Sequence, residues 1–376
     1  MPKILTPYDW YASILREESP LFSDLDSNVS EEALWQAGLE NGVTVLVNHK
    51  LANSEALESL PQTYREKLHK YTLNAVATEL GQEHELQMVL SLFTDAGIPF
   101  LLMKGTPLAY THYPQLYLRS RSDTDLLFEN MDDAEKAFNL LETHGYQRPN
   151  AVSGEFVSHE FCCYKKDKAG VGSTLDMHWK LSNAHRFARA FNFTELAASS
   201  TQITELGEKA QSLGPIHALL LACMHRIAHK IEGMENRLVW LYDIHLLTEK
   251  FSDQQWRQFI ILATAKGMCG ICLDGIQQSA KILNTDIPEE VKIQLEEGAS
   301  HEKYSTEMGE SQLTMEMSNL RALPGWKERA GLIKERVFPD ANYMMVKYDT
   351  QKKYLLPYLY LKRAIGGIFK VLGTRS

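Results

Sequence analysis

Two aspartates one residue apart, Asp123 and Asp125, stand in "DTDLLFE", a run whose other side chains are mostly apolar. Alternate side chains of a strand share a face, so this spacing puts both carboxylates on one side and Thr124 on the other. Like charges there repel and lose hydration unless a cation joins them. Converging carboxylate oxygens are what a hard divalent ion such as Mg²⁺ accepts. A third acid strengthens the case. Asp176, in "STLDMHW" on a second expected strand, shares its face with Thr174 and His178, while Leu175 and Met177 point the other way. Two metal ions about 4 Å apart need several shared ligands of this kind. The competing reading of "STLDMHW" is an edge strand whose wet face is merely polar.

Upstream, "MKGT" sets Lys104, Gly105 and Thr106 where a strand turns into a helix. Glycine permits close backbone approach, N–H groups at a helix start bind phosphate, and the lysine adds a point charge. Arg119 and Arg121, on the approach to Asp123, either contact triphosphate oxygens or balance the acidic cluster. His225 and His229 lie four apart on an expected helix and can share a face. H-x-x-x-H suits zinc, but "HRIAH" has Arg where a zinc protease has Glu. The other reading is a buried pair bonded to Asp243 or to the unit that carries the acids. Cys269 and Cys272 form a C-x-x-C with no second pair at zinc-finger spacing, and read as core cysteines at the start of a helix.

The elements that must hold these residues follow from periodicity. "SEEALWQAGLENGVTVLVNHKLAN" and "YREKLHKYTLNAVATELGQEHELQMVLSLFTDAG" carry apolar residues at helical intervals, the second closing on Gly97. "IPFLLM" and "DTDLLFE" read as buried strands, with a short helix from Thr106 to about Tyr113 between them. "MDDAEKAFNLLETHGY" is an amphipathic helix with acids in its first turn and a stop at Gly145. "EFVSHEFCCYKKD" and "GSTLDMHWKL" are two further strands joined by a polar turn. From about Phe191 onward the pattern is helical again. The chain thus divides into an amino-terminal helical region (1–97), a central α/β unit holding all three acids (98–190) and a carboxy-terminal helical region (191–376).

The bulk properties are those of a globular protein, with 44% hydrophobic and 23% charged residues and a formal net charge of -9. That acidity argues against a nucleic-acid partner, whose binding needs a basic surface. Five irregularly spaced cysteines suit a reducing compartment, and the first residues reach acids before any apolar run of signal-peptide length. No segment approaches the about 20 apolar residues of a membrane span. The expectation is a cytoplasmic protein. The last stretch, "QKKYLLPYLYLKRAIGGIFKVLGTRS", has no acid and several Lys and Arg among aromatic and aliphatic residues. It either caps the domain or makes a peripheral contact with an anionic membrane or a partner.

A glycine turn after a strand, D-x-D on the next strand and a lone Asp on a later one is similar to the nucleotidyltransferase superfamily of the polymerase-β type. More narrowly, "LLMKGTPLAYTHYP", "RSRSDTDLLF", "LETHGYQ" and "LDMHWKL" together resemble an uncharacterised family of bacterial nucleotidyltransferase-like proteins. The resemblance continues through "MHRIAHK" and "RLVWLYDIHLL", and more faintly through "RVFPDANYMM". It differs from the wider pattern in having Gly105-Thr106 after Lys104 where Gly-Ser is usual, and in a longer gap to Asp123. The resemblance implies a mixed sheet with flanking helices, with Asp123, Asp125 and Asp176 as Mg²⁺ or Mn²⁺ ligands and Asp176 also as general base or bridging ligand. Lys104, Gly105, Thr106, Arg119, Arg121 and His178 would then face a nucleoside triphosphate such as ATP. The implied activity is transfer of a nucleoside monophosphate to a hydroxyl acceptor by the two-metal scheme, with loss of pyrophosphate. The rival is a nucleotide-binding or scaffold protein that keeps the fold without turnover.

Overall fold

The computed structural model describes residues 4–149, 156–166, 172–302 and 312–373. Its strands are β1 (Phe100–Met103), β2 (Thr124–Phe128), β3 (Glu160–Lys166), β4 (Gly172–His178), β5 (Thr201–Gln202) and β6 (Gln211–Ser212). They form one mixed sheet in the order β3-β4-β2-β1-β6-β5. β2 runs antiparallel to β1 and parallel to β4, and β3 pairs antiparallel with β4. The class is the expected one, a mixed sheet flanked by helices with helical regions before and after it. The turn joining β3 to β4, residues 167–171, lies outside the described residues, as does the end of the carboxy-terminal stretch, residues 374–376.

Both faces of the sheet are covered, which is why β1 and β2 read as continuous apolar runs. Phe100, Leu102, Leu126, Phe128, Leu175 and Met177 enter one apolar cluster. Across from them are Leu86, Val89, Leu90 and Phe93 of the helix Gln62–Asp95, and Ala134, Ala137, Phe138 and Leu141 of the helix Met131–Thr143. Leu101, Met103 and Leu127 turn the other way. They join a larger cluster that mixes residues from before β1, such as Trp10 and Leu34, with Leu219, Leu241 and Ile244 from after β4. The strand alternation therefore turns Asp125, Asp176 and His178 toward the helices Pro215–Ala228 and Leu238–Glu249.

Local signals set the helix ends. The Asn130 side chain accepts from the Asp133 amide at 2.9 Å, Asp132 and Asp133 occupy the first turn, and the chain leaves that helix through Gly145 at φ 91°. Gln62–Asp95 ends just before Gly97 at φ 67°. Two strand starts differ from the sequence pattern. β2 begins at Thr124, which leaves Asp123 on the approach rather than in the ladder. β3 begins at Glu160 because the Phe156 and Val157 amides donate to Glu335 Oε2, at 2.8 and 2.9 Å, on the helix Trp326–Val337. All five cysteines are free, and Cys269 and Cys272 are buried in the helix Cys269–Leu283. No helix among the described residues is long and apolar enough to cross a membrane.

Candidate functional site

The site starts from strand register. β2 and β4 pair so that Asp125 lies beside Asp176 and Leu127 beside His178. Side chains at matched positions of parallel neighbours share a face, and the donor atoms of Asp125, Asp176 and His178 all lie within 4.8 Å of one another. Asp125 is only 4% exposed, and an isolated charge at that depth would be costly. Two cations share its Oδ1: Lys104 Nζ at 2.5 Å and His178 Nε2 at 2.9 Å. His178 in turn offers Nδ1 to Glu160 Oε2 at 2.7 Å. Glu160, His178, Asp125 and Lys104 thus form a bonded row, buried at Asp125 and His178 and half-buried at its two ends, whose charges alternate when His178 is protonated.

The titration behaviour follows from that row. Burial raises the Asp125 pKa, but Lys104 and His178 outweigh it and hold the carboxyl well below its usual range. Glu160 is likewise buried, yet its bond to His178 brings it down to about 2. Burial and the nearby Lys104 push His178 down, but its two carboxylate partners leave a net upward shift. Asp176 behaves differently. Burial first, then Asp125, Asp123 and Glu160, push it up to about 6 against the pull of His178. It has no ion-pair partner among the described residues.

A raised carboxyl pKa means that folding favours the protonated form. That contribution is complete below the unfolded value of about 4 and is lost as pH rises through about 6. Asp176→Asn, which is always neutral, is therefore expected to stabilise the metal-free fold by about 1 kcal/mol at pH 8 and not at pH 4, the figure being discounted for partial solvation. Thermal melts in chelator at the two pH values check this. Equal melting shifts at both would refute the crowding of Asp176.

Asp123 sits one residue before β2, half-buried and lining the cavity, with the Ser122 hydroxyl donating to it at 3.2 Å. Its carboxylate stands outside the three-residue group, though burial and Asp125 raise its pKa. Thr124 faces the opposite side and accepts from the Thr106 hydroxyl at 3.2 Å. Thr106 is buried there, engaged away from the cavity. Lys104 takes φ 59° and ψ -132°, a conformation that side chains other than glycine rarely adopt. Gly105 has a packing reason: a Cβ there would come within 3.0 Å of the Arg119 guanidinium.

Neither arginine forms an ion pair with Asp123 or Asp125. Arg119 clamps Asp243 in two-pronged fashion, Nη2 to Oδ2 at 2.7 Å and Nε to Oδ1 at 2.8 Å, and the Tyr113 hydroxyl donates to the same carboxylate at 2.8 Å. Arg121 Nη2 pairs with Glu79 at 2.6 Å, both side chains being buried. Asp243 belongs to Leu238–Glu249 and Glu79 to Gln62–Asp95, so these two ties brace the loop before β2 against helices on either side of it in sequence.

A cavity of about 620 Å³ opens between Asp123 and Asp125 and the carboxy-terminal helices; Asp176, His178 and Thr106 are not among the residues that line it. Its floor includes Lys104, Gly105, Asp123 and Asp125, and its wall includes Arg119, Arg121, His225, His229, Arg237 and Trp240. The His225 and His229 rings pack on Trp240 with centroids 4.6 and 5.1 Å away, and Arg237 lies over the same indole at 5.0 Å. Burial, then Lys104 and His229, hold His225 well below its usual pKa, so it is neutral. His229 bonds to Glu232 at 2.8 Å. The Asp243 bond expected for this pair is absent because Arg119 and Tyr113 fill that carboxylate. Among the described residues, neither histidine belongs to a group of three or more side chains placed to hold a metal ion.

Sequence reasoning missed Glu160, Glu79, Arg237 and Trp240. Only Glu160 had a usable signal, since the β3–β4 hairpin register sets it directly opposite His178. Residues 27–287 match the model of a protein family described as uncharacterised nucleotidyltransferase. No curated protein matches the chain.

Proposed function

The chain belongs to the uncharacterised nucleotidyltransferase family, and from that premise we propose that it transfers a nucleoside monophosphate from a nucleoside triphosphate to a hydroxyl acceptor. The observation that carries this reading is the convergence of Asp125, Asp176 and His178 within 4.8 Å, with Asp125 also lining a cavity beside Lys104 and Asp123. The donor set fits Mg²⁺ or Mn²⁺: Asp176 is a crowded carboxylate short of positive charge, and oxygen donors suit hard cations. Arg121, on the cavity wall, keeps Nη1 without a hydrogen-bond partner, a donor suited to a phosphate oxygen.

In this reaction the acceptor oxygen bonds to the α-phosphorus. The bond from that phosphorus to the α–β bridging oxygen breaks, and pyrophosphate leaves with the electron pair. The acceptor proton passes to Asp176, a carboxylate with no ion-pair partner among the described residues. His178, held by Glu160, keeps Asp125 oriented. A divalent ion held by Asp125 and Asp176, with Asp123 beside them, would neutralise the triphosphate and acidify the acceptor hydroxyl.

The test uses nucleoside triphosphates labelled at the α-phosphate, with Mg²⁺ or Mn²⁺, on the full chain and on Asp123→Ala/Asp125→Ala. Metal-dependent nucleotide binding by the wild type alone is the expected result. Equal binding by both proteins would defeat the assignment. One observation favours the second reading, a nucleotide-binding protein without turnover: Asp125 already holds two cations, Lys104 and His178. Nucleotide bound with metal but never converted to pyrophosphate and a labelled product, across a panel of sugar, small-molecule and protein hydroxyl acceptors, would select it.

A further inference from the structure

The carboxy-terminal helix carries a surface that the acidic site does not use. From Gln351 to the end of the chain there is no Asp or Glu, although the whole protein has a formal net charge of -9. The helix Leu356–Gly373 packs against the preceding helices through one side. There Leu359 is 5% exposed, the Tyr360 hydroxyl donates to the Pro339 carbonyl at 2.8 Å, and Arg363 Nε donates to the Arg336 carbonyl at 3.2 Å.

Another side presents exposed apolar residues among the described ones. Tyr354, Tyr358, Leu361 and Ile365 are 74%, 61%, 60% and 46% exposed. Tyr358, Leu361 and Ile365, three and four residues apart, form one stripe of this helix, and Tyr354 lies in the short turn Lys353–Leu355 just before it. Lys352, Lys353 and Lys362, all exposed, border it. An exposed apolar stripe edged by lysines and tyrosines, with no acid from Gln351 onward, has the composition of a helix that lies in the interface of an anionic bilayer. Charge decides between occupants. A second copy meeting stripe to stripe would set lysines against lysines, whereas anionic headgroups complement them.

We propose that this helix docks the protein on an anionic lipid surface, with Tyr358, Leu361 and Ile365 entering the boundary below the headgroups and Lys352, Lys353 and Lys362 reaching lipid phosphates. The helix lies on the surface and does not span it, in keeping with its length and polarity. The inference stands apart from the nucleotidyl-transfer reading.

Cosedimentation of the full chain with vesicles tests it, using phosphatidylcholine alone and phosphatidylcholine with about a third phosphatidylglycerol. Binding to the anionic vesicles only, released by about 0.5 M salt, is expected. Leu361→Ser/Ile365→Ser and Lys352→Glu/Lys353→Glu/Lys362→Glu should each weaken it by about tenfold or more with unchanged circular dichroism. Three results overturn the proposal: no binding to either vesicle, equal binding by the variants, or a dimer in sedimentation velocity that the Leu361→Ser/Ile365→Ser protein no longer forms.

Discussion

Asp125→Ala is expected to abolish metal-dependent nucleotide binding, lower transfer by about a thousandfold or more, and destabilise the fold by about 3–5 kcal/mol. The loss of chemistry follows from the proposed role of Asp125 as a ligand. The loss of stability does not need that role. Lys104 and His178 both bond this one carboxylate, at 2.5 and 2.9 Å, and removing it strands the half-buried Lys104 ammonium and leaves the buried His178 with Glu160 alone.

The pH dependence separates the two effects. The depressed Asp125 pKa contributes stability that is present above the unfolded value of about 4 and lost as pH falls below it. His178 is shifted upward, so its contribution is present below about 6.5 and fades as pH rises through its folded value. The variant should therefore differ most from the wild type between about pH 4 and 6.5 and less at pH 9. Urea unfolding in chelator across that range is the measurement. A difference that does not vary with pH would mean that His178 adds nothing to the row.

The second large effect belongs to the brace. Arg119→Ala or Asp243→Ala is expected to cost about 3–5 kcal/mol each, because either change leaves a buried, fully formed charge alone. Asp243 keeps Arg119 protonated despite burial, and Tyr113 completes the carboxylate's bonds. The pair ties the approach to β2 to the helix Leu238–Glu249, so its loss should also loosen the cavity and weaken nucleotide binding. Replacing both with apolar residues, Arg119→Met/Asp243→Leu, should recover a good part of the stability, since no charge is then stranded. Denaturant midpoints check the series. Single variants within about 1 kcal/mol of wild type would show the tie to be a solvated pair of little consequence.

Much of the fold was legible because local rules set it. The helix Met131–Thr143 follows from its Asn130 cap, its first-turn acids and Gly145, all adjacent in sequence. The strand runs follow from apolar density, and the fold class from their order. Strand edges were less legible: Asp123 fell outside β2, Phe156 and Val157 were claimed by Glu335, a helix residue far along the chain, and β5 and β6 joined the sheet from a stretch that reads as helical.

By itself the sequence determined that Asp176 and His178 share a face of one strand, and that an acid pair and a lysine turn lie nearby, because side-chain alternation depends on neighbours in the chain. Only the tertiary structure decided what those charges meet. The parallel register of β2 and β4 aligns Asp125 with Asp176, and partners 42 and 124 residues away take Arg121 and Arg119. Such pairings carry no local signature, because the free energy of a buried ion pair depends on desolvation and distance, which exist only once separate elements have packed together.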